Sequence, residues 1–398
     1  MSRILMLVTL LLLSAASAAA VTVDCDRGES LDRALAKLDK RSSQTVSVKG
    51  TCAEYVAVRG FENLTLKGLP GATLVKPADP PTALVNAVLL VDASRSVTVE
   101  GLKVQAPDVN PSTAGILIWN ASTDIRLRNL TVEGGITGIL VGKNCLVSIA
   151  GVTGRNPNWA TVGIFELSHV QIEDCLFEGH TAPGFWNVGI SVQSGSQLNL
   201  HGTTVRNMQV GIEAGTGGVV NVFDSNTYYP SGGPAEVLVE SPLGTNFYGL
   251  LVSNGGAVEV STAKLRITNA GQTWGGSSGA VVVKDGGTFN GGGNNLEVSG
   301  SKGQGVYVAN NSHVTLAGAS VTGGLHNGLV VVNLSTASVT QSFPAVPTQL
   351  GGNNAGGTNA KDIFCDSRSL VTGGSNIAGG ANVQCGSLLA DESEPIPH

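Results

Sequence analysis

Apolar residues along the chain fall into short alternating runs, and several of these open on glycine. They read Gly115-Ile116-Leu117-Ile118, Gly138-Ile139-Leu140-Val141, Gly163-Ile164-Phe165 and Gly189-Ile190-Ser191-Val192. The opening returns after about 22 to 26 residues each time, and a fixed period in that range marks a solenoid of stacked repeats. A second register runs beside the first. Ile125/Leu127, Val147/Ile149, Val170/Ile172, Leu198/Leu200, Val220/Val222, Val258/Val260 and Val314/Leu316 are each followed two residues on by Asn129, Gly151, Asp174, Gly202, Asp224, Thr262 and Gly318. Upstream, Leu64/Leu66 leads to Gly68 and Val97/Val99 to Gly101. Alternation with a period of two makes a strand with one buried face, and Gly, Asn and Asp tolerate the left-handed bend that ends it. Each period is therefore one coil of short strands.

A coil of this size cannot bury its inner face alone, so coils stack, each strand pairing in parallel with its equivalent about 4.8 Å above. The expected inner column holds Ile116, Ile139, Ile164, Ile190 and Ile212. In this pattern the chain resembles the right-handed parallel β-helix proteins, the superfamily of pectin and pectate lyases, over residues 21 to 385. The resemblance implies an all-β fold, a single-stranded right-handed parallel β-helix, and says nothing of activity. Superfamily members that hydrolyse polygalacturonate carry Asn-Thr-Asp, Asp-Asp, His-Gly and Arg-Ile-Lys elements. Here only His201-Gly202 stands, with Gly202 already explained as a turn residue, and Arg266-Ile267-Thr268 is a poor echo of the last. The lyases' acidic calcium cluster has no evident counterpart. No catalytic residue is carried over, and neither calcium nor another metal is indicated.

Residues 1–20 read as a secretory signal: Arg3, an apolar run from Ile4 to Leu13, and Ala18-Ala19-Ala20 before the cleavage point. The run is too short to span a bilayer. Residues 21–60 are expected to form an N-terminal cap. Its helix over 27 to 41 has Leu31, Leu35 and Leu38 on one face and Ser30 as N-cap, and covers the open end of the solenoid. Coils fill 61–385, with an insertion at 225–248 containing Tyr228, Tyr229 and two prolines. Residues 341 to 360 form a long connection before the closing coil, and 386–398 are a disordered acidic tail.

Composition narrows the partners. Only 13% of the residues are charged, and the formal charge is −6. No basic stripe suits phosphate, which argues against nucleic acid. The balance also disfavours polyanionic sugars unless calcium or a local basic patch intervenes. Six cysteines in an exported chain permit bridges. Cys25 with Cys52 and Cys365 with Cys385 are the expected pairs. Cys145 and Cys175 fall at different points of adjacent coils, and both a bridge and two buried thiols fit. Asn63, Asn120, Asn129, Asn310 and Asn333 begin glycosylation sequons, which matter only in a host that glycosylates.

Two sets of side chains carry candidate chemistry. Glycoside hydrolysis needs two carboxyl groups facing one groove, about 5 to 9.5 Å apart. Glu213 should point outward. Glu166 takes the place of Ile118, Val141 and Val192, which is an inward position unless a bulge turns it out. Glu173, Glu178 and His180 make another acidic corner. The second set is aromatic: Trp159, Phe185, Trp186, Tyr228, Tyr229, Tyr248 and Trp274 lie in connections along one edge. There they either stack on sugar faces or seal their own coils. The outward row reads Leu117, Leu140, Phe165, Ser191, Glu213, Leu251, Val281, Tyr307 and Val330. An apolar stripe of this kind is covered by the chain itself, by a ligand or by a second subunit through Leu117, Leu140 and Phe165. The sequence thus points to a secreted polysaccharide-binding or structural scaffold. The alternative is a polysaccharide lyase or glycoside hydrolase working in a groove along the solenoid.

Overall fold

A computed structural model describes residues 19–77, 87–106, 113–180, 187–223, 236–241, 247–272, 277–342, 345–353, 361–378 and 382–389. The chain winds as a right-handed parallel β-helix. Three parallel sheets of 14, 13 and 11 strands run the length of the described solenoid, and each strand pairs with its equivalent one coil away. We call them sheet A (for example Ile125–Arg128), sheet B (Thr131–Gly134) and sheet C (Thr137–Val141), visited in the repeating order C, A, B. Inward side chains of all three form one continuous core, with Phe61, Phe177 and Phe289 among its largest fully buried members.

The register corrects one coil of the expected column. Ile116 and Ile139 stack on Val162, Ile190 and Ile212, whereas Ile164 stacks with Ile118, Val141 and Val192. The position of the opening glycine is taken in that coil by Thr161, so Gly163-Ile164 lies two residues further on than it reads. Glycine elsewhere at this corner reflects space: a Cβ on Gly115 would come within 2.7 Å of both the Gly138 carbonyl and Val132. The same slip put Phe165 in the outward row where Gly163 stands, and a separate slip, with Gly279 one residue ahead of the repeat, put Val281 where Val282 stands.

Turns are equally periodic. Between sheets A and B, Gly101, Asn129, Gly151, Asp174, Gly202 and Gly318 have the expected left-handed φ; Gly68 and Thr262 do not. Asp224 lies outside the described residues. Between sheets C and A a two-residue left-handed turn recurs, as in Asn120-Ala121, Lys143-Asn144, Glu166-Leu167, Asn254-Gly255 and Asp285-Gly286. Behind it runs a buried hydroxyl ladder. The Ser94 N–H donates to Ser122 Oγ at 3.2 Å, Ser168 N–H to Ser196 Oγ at 3.1 Å, and Ser312 N–H to Ser335 Oγ at 3.2 Å. These bonds satisfy backbone donors that the turn turns inward.

The helix is shorter than expected. It spans Leu31–Ala36, with Ser30 accepting from the Arg33 N–H at 3.2 Å. Cys25–Arg27 is a separate 3-10 turn, and Leu38 follows the helix, packing against the core only partly buried. Leu31 and Leu35 are buried in the core. Cys25–Cys52 and Cys365–Cys385 are bridged. Cys145 and Cys175 are free buried thiols in separate columns. Cys145 occupies a serine position of the ladder, giving its own N–H to Ser168 Oγ and its thiol to the Gly142 carbonyl. Glu236–Glu240, within the expected insertion, is a strand of sheet B in register with Thr204–Arg206 and Lys264–Thr268, so the coil continues through it.

Candidate functional site

The three outer faces differ in chemistry. Outward positions of sheet A are polar and, in its middle coils, uncharged along one row: Gln171, Asn199 and Asn221 follow one another, and Asn221 Nδ2 donates to Asn199 Oδ1 at 3.0 Å. Sheet B carries charges that alternate in sign. Its row Gln105, Glu133, Arg155, Glu178, Arg206 and Glu240 climbs six coils. Glu178 pairs with Arg206 at 2.8 Å and Arg155 at 3.5 Å, and Glu133 with Lys103 at 2.9 Å. Sheet C is the apolar and aromatic face.

On sheet C the central outward row is Leu117, Leu140, Gly163, Ser191, Glu213, Leu251, Val282, Tyr307 and Val330. A second apolar cluster, separate from the core, forms here from Ala160, Val188, Val210, Leu251 and Val282, with Trp159, Tyr248 and Tyr307 packed against it. Burial pushes the Tyr307 phenol pKa up. Two rings sit where glycine makes room. A Cβ on Gly163 would lie 2.9 Å from Phe165 and 3.4 Å from Trp159, whose ring centroids are 5.7 Å apart. One coil earlier, a Cβ on Gly142 would meet the Trp119 ring, and Lys143 Nζ stands 5.0 Å from that ring's centroid. Trp119 was absent from the sequence-level candidates. Its signal is the glycine one coil on, and only the register reveals it.

A polar set interrupts the rings. Ser191, fully buried, donates to Glu213 Oε2 at 2.8 Å, and Gln193 Nε2 reaches Ser191 Oγ at 3.0 Å and the same carboxylate oxygen at 3.3 Å. Gly215 beside it leaves Oε1 open, since its Cβ would still be 3.9 Å away. Half-buried Glu213 thus presents a held acceptor between aromatic surfaces, an arrangement suited to ligand hydroxyl groups. Among the described residues, the outward positions of sheet C from Ala87–Asp92 to Leu329–Val331 carry two carboxylates, Asp92 and Glu213. They are five coils apart, about 24 Å at 4.8 Å per coil, too far to act as a hydrolytic pair.

The other acidic candidates do not join this face. Glu166 is exposed in the left-handed turn beside Leu167, with φ 54°, not at an inward position; Ile164 holds that place. Glu173 ends a sheet A strand and accepts from Gln171 Nε2 at 2.6 Å. Glu178 belongs to the sheet B ion pairs, and His180 lines a cleft where sheets B and C meet. Of the aromatic candidates, Trp159 and Tyr248 lie on sheet C. Phe185, Trp186, Tyr228, Tyr229 and Trp274 lie outside the described residues. The one grouping of potential metal ligands among the described residues, Cys25, Cys52 and Glu54, offers no thiolate: its sulfurs are bridged, and Glu54 accepts from Ser30 Oγ at 2.6 Å.

Comparison with known proteins agrees on the fold. The family described as right handed beta helix region matches residues 86–265. No curated protein matches the sequence. Among solved structures, the catalytic domain of a GH87 α-1,3-glucanase D1068A variant in complex with tetrasaccharides is similar at 12% identity and a TM-score of 0.56. That similarity covers 89% of this chain and 69% of the other. A full-length tailspike protein 2 from Escherichia coli O157:H7 bacteriophage CAB120 is similar at 13% identity and a TM-score of 0.24, covering 83% of this chain and 38% of the other. At 12% identity the likeness to the glucanase domain concerns the winding of the chain.

Proposed function

We propose that the protein is a glycan-binding β-helix whose ligand lies along the outer face of sheet C. The carrying observation is Glu213, held by Ser191 and Gln193 between the rings of Trp119, Trp159 and Phe165 on one side and Tyr248 and Tyr307 on the other. Sugar rings offer apolar faces to stack and hydroxyls to donate, and this face supplies both partners. Leu117, Leu140 and Phe165 belong to the same contact in this reading, in place of a subunit interface. The two disulfides support assembly in an oxidising compartment. Cleavage after Ala20 followed by export accords with that. The short Leu31–Ala36 helix, with two buried leucines, serves as the N-terminal cap of the coils over 61–385.

Binding without cleavage is favoured by the wide separation of Asp92 and Glu213. The test is retention on a glycan array. Trp159→Ala combined with Phe165→Ala is expected to lose retention at least tenfold while the circular dichroism of the coils persists; undiminished retention would sink the reading. The competing reading, a hydrolase or lyase, draws on the α-1,3-glucanase whose catalytic domain shares the fold. It requires new reducing ends or unsaturated products from α-glucans or uronans. Their release, and its loss in Glu213→Gln, would replace binding with catalysis.

A further inference from the structure

Away from the sheet C face, a cleft of about 380 Å³ opens where sheet B gives way to the connections leading to sheet C. Its origin is a gap in one row. The position after the paired residues Val75, Gln105, Glu133 and Arg155 holds Lys76, Ala106, Gly134 and Asn156 in successive coils. Two nearly absent side chains between a lysine and an amide leave a hollow spanning three coil steps, about 14 Å at 4.8 Å each. Gln105 and Glu133 line its side and His180 its far end.

The charges there differ from those of the chain as a whole. Over these coils the described outward positions of sheet B carry Lys103 and Arg155 against Glu133 and Glu178, and Lys76, one position beyond its strand in the row of Ala106 and Gly134, adds one positive charge, in a protein of net −6. Each carboxylate is already engaged. Lys103 and the Gln105 amide hold Glu133, lowering its pKa, and Arg155 and Arg206 hold Glu178. Lys76, half-buried, enters no ion pair among the described residues. An ammonium on the wall of a cleft attracts an anion more strongly than the same group in open water.

We propose that this corner cleft is a second binding site, separate from the sheet C face, taking the oxyanion group of a small ligand. Lys76 supplies the ion partner, and Asn156 lines the cleft three coils further on. A charge-assisted hydrogen bond from Lys76 is the main contact, with Ala106 and Gly134 providing room for the group. The oxyanion can be free or carried on a sugar, and titration calorimetry with inorganic phosphate, glucose 6-phosphate and glucose separates the two. Binding of glucose 6-phosphate more tightly than phosphate identifies a ligand-borne group; equal binding identifies the free anion. In both cases the affinity should fall at least tenfold in Lys76→Ala, be kept in Lys76→Arg, weaken as salt rises from 50 to 500 mM, an order-of-magnitude range of screening, and be untouched by Trp159→Ala. Glucose binding as well as its phosphate, no phosphate-dependent heat, or an unchanged Lys76→Ala would overturn the proposal.

Discussion

On sheet B, the outward position that holds Glu133 is followed up the stack by Arg155, Glu178 and Arg206, and neighbouring charges pair across coils. On sheet C, the outward position that holds Leu140 is followed by Gly163, Ser191, Glu213 and Leu251. There the side chains of one coil leave room for, or bury, those of the next. The inner columns of both sheets are alike, mostly Val, Ile and Leu, because a core thin enough to be shared by three sheets admits little else. The outward columns are free of that constraint. Sheet B uses the freedom to neutralise itself; sheet C assembles an apolar layer with one held carboxylate, which no folding requirement demands.

A matched pair of substitutions gives the largest contrast. Leu251 and Leu238 both point outward, on sheets C and B, yet Leu251 is 7% exposed in the second apolar cluster and Leu238 is half-buried between Thr204 and Arg266. Leu251→Lys forces an ammonium into that sealed layer, where the neighbouring Glu213 carboxylate offsets only part of the burial penalty, and is expected to cost on the order of 2 kcal/mol. Leu238→Lys can lift its charge into water and should cost about 0.5 kcal/mol or less. Urea denaturation of the two variants measures the difference. Equal losses would mean that sheet C has no sealed outer layer.

The next effect is smaller and confined to sheet B. Glu178→Gln removes the anion shared by Arg155 and Arg206. All three groups are part-exposed, so two weak pairs lost together amount to about 1 kcal/mol. Glycan retention should not change. A loss of retention with stability intact would move the ligand from sheet C to sheet B.

How far these faces could be read from sequence follows from what sets each of them. Alternation fixes inward and outward within a strand, so Ile116, Ile139, Ile190 and Ile212 were legible as one column. The relation between coils depends on turn length, and there Thr161 in place of a glycine concealed the correct row. That single slip gave Glu166 an inward register from which only a bulge could turn it out, when it stands exposed in a turn, and put Phe165 in the row of Gly163. The recurring left-handed pairs, some spelled Asn254-Gly255 and Asp285-Gly286, carried the signal that would have corrected it. Burial of an outward residue such as Ser191 or Leu251 depends on atoms from other coils, and no local pattern records it. The corner cleft was invisible for the same reason: Ala106 and Gly134 mean little until Lys76 and Asn156 are known to flank them.

Acid should distinguish the faces as well. Glu133 and Glu297 on sheet B have carboxyl pKa values lowered chiefly by hydrogen bonds from Lys103 and Lys264. A group whose pKa is depressed on folding stabilises the fold above its unfolded value, 4.5 for these two. That contribution is lost as pH falls through the lower folded value. The urea midpoint should therefore decline between about pH 5 and pH 3, and decline less in Lys103→Met with Lys264→Met. An identical decline in that double variant would show that these ion pairs contribute nothing to acid stability.

Partners supplied by the neighbouring coil matter inside the solenoid as well. Cys145 sits in the serine ladder, donating its thiol to the Gly142 carbonyl at 2.9 Å and its own N–H to Ser168 Oγ at 3.2 Å, and burial pushes its thiol pKa up to about 11. Cys145→Ser keeps a donor at that point and should change stability by less than about 1 kcal/mol. Cys145→Val removes the donor to the Gly142 carbonyl, so it should cost about 1 to 3 kcal/mol although valine is the more apolar residue. Thermal denaturation of the two variants decides the point. If valine were tolerated as well as serine, packing rather than hydrogen bonding would govern the ladder. The inner turn would then follow the apolar logic of sheet C instead of the paired logic of sheet B.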